Sequence, residues 1–233
     1  MYTTNITINE SQLDVHACWR LSSLLSCLQD AATADASTLA MGRADLTAQG
    51  AFWIVNRTSV WIDAPVGVGE YRLKTWHAAC RGASWTRHYV LYREDTPMIR
   101  ATSIWAAVTL AEPRKLVRLA AIDPFDGGVE VPLPVHVRMG EMMPAGQREI
   151  RYADLDQNAH LNNARAVDLA LDALEYGREQ GRFIREAHIH YAGESKRGDV
   201  LECFVGQTDN YTTFEARNDG KAAFDAAFCF GNL

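Results

Sequence analysis

The sequence has no long hydrophobic segment, few cysteines and no excess of basic residues. Because no run of about 18 apolar residues occurs, it predicts no membrane-spanning helix. The five cysteines include no Cys-x-x-Cys pair, which argues against a four-cysteine zinc site and a disulfide framework. With 23 basic and 29 acidic residues, the net charge is −6. Such a chain lacks the basic face that nucleic-acid binding requires.

The N-terminus also lacks the basic region and apolar stretch of a secretory signal, so we expect a cytoplasmic protein with reduced thiols. What the chain does have is an ordinary globular composition. Of its 233 residues 48% are hydrophobic and 22% are charged. A core of useful size can therefore form without a metal ion or a disulfide.

Proline marks a joint in the middle of the chain. Five of the seven prolines fall between positions 113 and 144, with Gly127 and Gly128 among them. Proline cannot continue a helix and is excluded from the interior of a sheet. We therefore predict an ordered linker over residues 112–147, which separates residues 1–111 from residues 148–233.

The two sides of this linker show the same order of signals. Each begins with a short strand-like run, at 4–8 and at 149–152. One amphipathic helix follows, beginning near Leu21 in the first half and at Asn162 or Asn163 in the second. Four strand-like segments come next, at 52–62, 71–76, 85–92 and 99–110, and at 183–191, 200–205, 212–216 and 222–230. The pattern predicts an α+β fold in which an antiparallel sheet wraps one helix, present twice.

The densest polar cluster lies directly before the second helix. Residues 154–163 hold two aspartates, three asparagines and one histidine, more than a helix cap requires. Histidine titrates near neutral pH, and the N–H groups at a helix start stabilise a developing oxyanion. This cluster is therefore a candidate catalytic loop.

A carboxylate in the second half supports the same site. Aligning the repeats by matching Gly69 to Gly198 places Glu194 where the first half has Pro65. The loop before the first helix, residues 14–18, has no Asn-x-His sequence either. We therefore expect one site per chain, built in the second half.

At this point the sequence resembles a known family. Residues 151–164, with Asp156, Asn158 and His160, are similar to the D-x-N-x-H-x-N-N signature of acyl-acyl carrier protein (acyl-ACP) thioesterases. The resemblance extends from about residue 5 to the C-terminus. It implies a tandem double hotdog fold, with two long helices each wrapped by a curved antiparallel sheet. Residues 1–111 would then form the N-terminal hotdog with the acyl-chain pocket, and residues 148–233 the C-terminal hotdog with the catalytic residues.

The resemblance also implies which residues act. The family's Asp-x-Asn-x-His falls on Asp156, Asn158 and His160, and its Glu-Cys pair falls on Glu194 and Ser195. The cysteine is therefore missing, so we expect a nucleophilic water, because Ser195 would need a base beside it. Either Glu194 or Asp156 would take the water's proton. Asn158 and helix N–H groups would face the oxyanion, while His160 would bond the carbonyl or protonate the leaving thiolate.

The resulting prediction is the hydrolysis of fatty acyl-ACP to free fatty acid and carrier protein, without cofactor or metal, by a monomer or homodimer. Three alternatives stay open: an acyl-CoA thioesterase, a non-catalytic acyl-binding protein and a hotdog hydratase. The hydratase motif D-x-N-P-[LIV]-H has a proline and one more residue than the segment from Asp156 to His160. His188 and His190 share a strand face but lack an evident third metal ligand. Lys196 and Arg197 are candidates for docking the acidic carrier protein, whereas Arg114 and Lys115 are interpreted as ordinary surface residues.

Overall fold

The computed structural model describes residues 1–178 and 180–233, which form one large antiparallel sheet with few helices. The first half contains helices α1 (Leu21–Thr38) and α2 (Arg43–Ala48), and the second half contains α3 (Asn163–Ala173). The strands of the first half are β1 (Tyr2–Ile8), β2 (Ala51–Ile62), β3 (Gly69–Arg81), β4 (Ser84–Arg93), β5 (Thr96–Thr109) and β6 (Leu116–Val117). Those of the second half are β7 (Glu141–Glu149), β8 (Arg182–Tyr191), β9 (Val200–Gln207), β10 (Thr212–Asn218) and β11 (Lys221–Asn232). The predicted α+β class is confirmed.

The two halves contribute their strands in the same order when the sheet is read inward from either edge. It reads β1-β3-β4-β5-β2-β8-β11-β10-β9-β7, with β6 added beside β5. The halves join where β2 and β8 pair antiparallel, from Arg57 opposite His190 to Trp61 opposite Glu186. Ser59 and His188 are partners at the centre of this join, and their side chains share a hydrogen bond of 2.9 Å. An approximate twofold axis therefore passes between these two residues.

The two longer helices pack against each other on one face of the sheet. Helix α1 contributes Leu24 and Leu28, and α3 contributes Val167 and Ala170, all at most 3% exposed. They belong to one continuous core with sheet residues such as Phe214. The 3.6-residue spacing of these apolar positions explains why each helix turns one face to the sheet.

The proline-rich segment crosses the other face of the sheet. The carbonyl oxygen of Pro132 accepts a hydrogen bond from Thr102 Oγ1 at 2.8 Å, and that of Met139 accepts one from Thr213 Oγ1 at 2.7 Å. Val131 is 7% exposed and packs with Trp76 and Val90. The segment therefore connects the halves along the sheet.

One strand lies away from its predicted position. We expected a strand at 149–152, but the strand of this region is β7, which ends at Glu149. Residues Tyr152–Asp154 form a short 3-10 helix. Pro144 lies inside β7, where the pairing with β9 shifts register between Pro144 and Gln147. An edge strand with a bulge tolerates proline, because no neighbour needs its missing N–H. Among the described residues, no helix is long and apolar enough to cross a membrane.

Candidate active site

The loop between β7 and α3 is folded around the side chain of Asp156. Its Oδ1 accepts hydrogen bonds from the backbone N–H groups of Asn158 and His160, at 2.8 and 3.1 Å. Its Oδ2 accepts one from Asn158 Nδ2 at 3.1 Å. Ala159 has φ of 61°, the left-handed conformation that closes the turn. Asp156 thus fixes the directions of Asn158 and His160.

The loop leads directly into helix α3 and is joined to the segment that carries Glu194. Asn162 caps the helix, since its Oδ1 accepts hydrogen bonds from the N–H groups of Ala164 and Arg165 at 2.8 and 3.3 Å. Leu161 donates its N–H to the carbonyl oxygen of Ser195 at 2.7 Å. This backbone contact brings together residues that are more than 30 positions apart in the sequence.

Glu194 lies against His160. One carboxylate oxygen is 3.5 Å from His160 Nε2, and the other contacts the guanidinium of Arg114. The Glu194 side chain is 40% exposed, so water reaches it. Burial lowers the pKa of His160, and the charges of Arg114 and Lys196 lower it further, against the opposite effect of Asp156. His160 is therefore neutral at pH 7.

Two arginines from outside the second half, one in the first half and one in the predicted linker, reach this site, and neither was predicted as a site residue. Arg43, at the start of α2, donates from Nη2 to Asn158 Oδ1 at 3.1 Å. Arg114, in the predicted linker, contacts Glu194 and lies 4.8 Å from the centre of the Phe52 ring. The interpretation of Arg114 as an ordinary surface residue was therefore wrong. The sequence carries no signal for either contact, because both join residues from different halves.

A cavity of about 460 Å³ extends from the loop with Asn158 and His160 into the first half. Asn158 and His160 border it together with Arg43 and Arg114. Its walls in the first half come from α1 and from strands β2 to β5, and they include three tryptophans: Trp53, Trp85 and Trp105. A cavity with three tryptophans in its wall, next to this loop, suits an extended substrate chain with an apolar part.

Ser195 differs from the other four predicted site residues. It is 2% exposed, and its Oγ has no hydrogen-bond partner among the described residues. Asp156, Asn158, His160 and Glu194 form one chain of contacts, whereas the Ser195 hydroxyl has no base within hydrogen-bond reach. Within residues 1–178 and 180–233, no cluster of three His, Cys, Asp or Glu side chains could hold a metal ion.

The loop before α1 repeats the geometry of the loop around Asp156 without the residues Asn158 and His160. Asp14 Oδ1 accepts from the N–H groups of His16 and Cys18 at 2.8 and 3.1 Å, the same distances as at Asp156. Ala17 has φ of 57°, close to that of Ala159. Burial, with the charge of Asp14, raises the pKa of Cys18 to about 11, so its thiol stays protonated.

Tyr176 packs on the His16 ring at 4.6 Å, in the region that corresponds to the open cavity. The loop shape is therefore a property of the repeat, whereas Asn158, His160 and Glu194 are specific to the second half.

Both halves of the chain match the profiles of one protein family. The family profile of the acyl-ACP thioesterase N-terminal domain matches residues 1–121, and that of the C-terminal domain matches residues 143–230. A search of curated proteins finds no significant match.

The structure is similar to an acyl-ACP thioesterase from Bacteroides thetaiotaomicron, with a TM-score of 0.88, 22% identity and coverage of 99% of this chain and 97% of that one. It is also similar to a 12:0-ACP thioesterase from Umbellularia californica, with a TM-score of 0.80, 15% identity and coverage of 100% and 97%. These two likenesses show the fold, and the two profiles together span most of the sequence. The chain belongs to the acyl-ACP thioesterase family.

Proposed function

We propose that Glu194, Asn158 and His160 carry out the reaction of this family at the mouth of the cavity. As a member of the family, the chain hydrolyses the thioester of a fatty acyl-acyl carrier protein to free fatty acid and carrier protein. The observation that carries the assignment is the contact of Glu194 with His160, because His160 borders the cavity. The thioester carbonyl would lie at this end, with the acyl chain inside the first half.

Glu194 is the general base in this proposal. A water beside its carboxylate gives up a proton to Glu194 as its oxygen attacks the thioester carbon, a contribution of about 10²–10⁴-fold. Asp156 is the weaker candidate, because its two oxygens already accept three hydrogen bonds from the loop. When the tetrahedral intermediate collapses, the C–S bond breaks and the proton passes to the departing thiolate.

Asn158 is the proposed oxyanion donor. One N–H of its Nδ2 bonds to Asp156 Oδ2, and the second is available to the substrate oxygen. The N–H groups at the start of α3 are less suitable than expected, since Asn162 already occupies those of Ala164 and Arg165. Neutral His160 carries a single ring N–H, which can bond to the carbonyl oxygen or pass a proton to the thiolate.

The repeat supports the remaining proposals about organisation. We propose a tandem double hotdog, in which residues 1–111 hold the acyl pocket, residues 112–147 connect the halves and residues 148–233 hold the catalytic loop. All five cysteines are free thiols, which supports a reducing, cytoplasmic environment. Acyl carrier protein is the proposed partner, with Lys196 and Arg197 next to Glu194 as its basic contacts.

The test measures release of free thiol from acyl-ACP and from the matching acyl-CoA. Glu194→Gln and Asn158→Ala are each expected to lower kcat by about 10²-fold or more, the usual effect of losing a base or an oxyanion donor. Ser195→Ala, the matched neighbour, should keep most of the turnover. Faster hydrolysis of acyl-CoA than of acyl-ACP would favour the CoA enzyme, and acyl binding without thiol release would favour the binding protein. An acyl-Ser195 adduct found by mass spectrometry would overturn the water mechanism.

A further inference from the structure

An ion pair lies on the wall of the acyl cavity. Arg87, on β4, borders the cavity, and its Nη1 is 2.6 Å from Asp35 Oδ2 on helix α1. The two side chains are only 12% and 5% exposed. Removing two charges from water costs several kcal/mol per ion, and the pair's attraction offsets this only in part. In a cavity that binds only hydrocarbon, such a buried ion pair would form no favourable contact with the ligand.

Arg87 retains hydrogen-bonding capacity beyond this pair. Its Nη1 also donates to Thr75 Oγ1 at 3.2 Å. In the described part of the chain, Nε and Nη2 have no hydrogen-bond partner. Because a guanidinium only donates, the group that satisfies it from the cavity must be an acceptor, such as an oxygen atom.

The ion pair is separated from the catalytic loop by a series of rings. At the mouth, Arg43 holds Asn158, and Trp53 Nε1 donates to the carbonyl oxygen of Met41 at 2.9 Å. Trp53 contacts Trp85 with ring centres 5.6 Å apart, and Trp85 contacts His77 at 4.9 Å. His77 is paired with Arg87 across strands β3 and β4. A path of contacts therefore leads from the loop at Asn158 through these rings to the ion pair.

We propose that the Asp35–Arg87 pair selects the acyl chain by its far end: it receives an oxygen atom there and rejects a plain hydrocarbon chain long enough to reach it. A methyl end placed against the guanidinium displaces the water that would solvate it and offers no acceptor in return. A terminal hydroxyl supplies that acceptor. The inference rests on the proposed function and adds to it the class of acyl chain.

The experiment uses two matched series of acyl-ACP of increasing length, one ending in a methyl group and one in a hydroxyl. For the wild type, kcat/KM of the methyl series should rise to an optimum and then fall. At the first length beyond that optimum, the hydroxyl-ended chain should be hydrolysed at least about tenfold faster than the methyl-ended chain with the same number of heavy atoms. Equal rates for the two ends would overturn the proposal.

The double variant Asp35→Leu/Arg87→Met removes both charges while keeping the volume, an exchange that buried ion pairs often tolerate. It should reverse the preference for the end group and move the methyl optimum to longer chains. Each added methylene should then gain about fourfold, the equivalent of ~0.8 kcal/mol of burial. The control is Asp63→Leu/Arg100→Met, which removes a partly exposed ion pair remote from the cavity lining and should leave the profile unchanged.

A folded double variant with the wild-type profile would also overturn the proposal. If the double variant does not fold, the ratio of the wild-type hydrolysis rates for hydroxyl-ended and methyl-ended chains still tests the proposal. Failure of the proposed function gives a different result, because the wild type would then release no thiol from any member of either series.

Discussion

Glu194 and Asp156 carry the same functional group in very different surroundings. Asp156 is enclosed by the loop that it organises, and Asp14 makes the same backbone contacts in the first half. Glu194 is partly exposed, faces His160 and has only Pro65 at the corresponding position of the first half. Comparison of the two halves thus distinguishes the two carboxylates. Asp156 has a counterpart and shapes the loop, whereas Glu194, the proposed general base, has none.

Arg43 is expected to act by orienting Asn158. Its guanidinium fixes Asn158 Oδ1, so the Nδ2 side of the amide faces the substrate. In Arg43→Ala the amide loses this restraint, and kcat should fall by about tenfold with little change in KM, as for the loss of one charged hydrogen bond. Arg165→Ala removes an exposed arginine on α3 and should leave kcat unchanged. A change in KM alone would indicate a role in substrate binding instead.

Ala159 occupies a backbone conformation that favours glycine. With φ of 61°, an alanine costs about 1–2 kcal/mol relative to the right-handed region, and glycine does not bear this cost. Because glycine also increases the entropy of the unfolded chain, Ala159→Gly should raise the free energy of unfolding by only about 0.5–1 kcal/mol. Urea unfolding measures this, and thiol release should persist. Ala17→Gly, at the equivalent position, should behave alike; a loss of stability in both variants would contradict the argument.

At the scale of helices and strands, the pattern of apolar residues was sufficient to predict most elements of the fold. Helix α1, helix α3 with its cap at Asn162, and strands β1 to β5 and β8 to β11 lie close to where the sequence predicts them. Helix α2 was missed because its six residues present a single buried side chain, Leu46, which makes no periodic pattern. Strand β7 was misplaced because Pro144 and Gly146 indicate a turn, whereas an edge strand accommodates both. The assignment of Asp156, Asn158, His160 and Glu194 came from a local motif and the repeat, and it remains a prediction.

The cap of α3 can be tested by neighbouring substitutions. Asn162 Oδ1 accepts two backbone hydrogen bonds at the start of the helix, and Asn162→Ala should lower the free energy of unfolding by about 1 kcal/mol. Asn163→Ala, one position later and inside the helix, should cost much less, since alanine is the better helix former. Urea unfolding of the two variants gives the comparison. Equal losses would show that Asn162 does not stabilise the helix as a cap.

At the scale of the whole molecule, two buried histidines make stability depend on pH. Burial lowers the pKa of His77, and Arg87 lowers it further, although Asp35 and the carbonyl groups of Thr86 and Ile122 oppose this. Burial also lowers the pKa of His188, against the influence of Glu186. Both are therefore neutral in the folded state at a pH where the unfolded chain binds protons, so their contribution is present above pH ~6.5 and is lost as the pH falls.

Urea unfolding between pH 8 and pH 5 should show this loss. Below pH ~6.5 the free energy of unfolding should fall by up to about 1.4 kcal/mol per pH unit for each of the two histidines, until that group is protonated in the folded state as well. His188→Gln should make the slope shallower, and His77, His88 and His160, whose pKa values are also lowered by burial, should account for the rest. A free energy of unfolding that stays constant over this range would contradict the assignment.

The continuous sheet has a consequence for engineering by recombination. Strand β2 forms a wall of the acyl cavity, its partner β8 leads to the turn with Glu194, and the two are paired at five positions. Arg43 in the first half contacts Asn158, and Arg114 in the linker contacts Glu194. A chimera that takes its halves from two relatives must therefore preserve the pairing of Ser59 with His188 and supply both arginines. If the first half holds the acyl pocket as proposed, we expect that changing side chains within it alters chain selectivity with less disturbance of the sheet than exchanging the whole half.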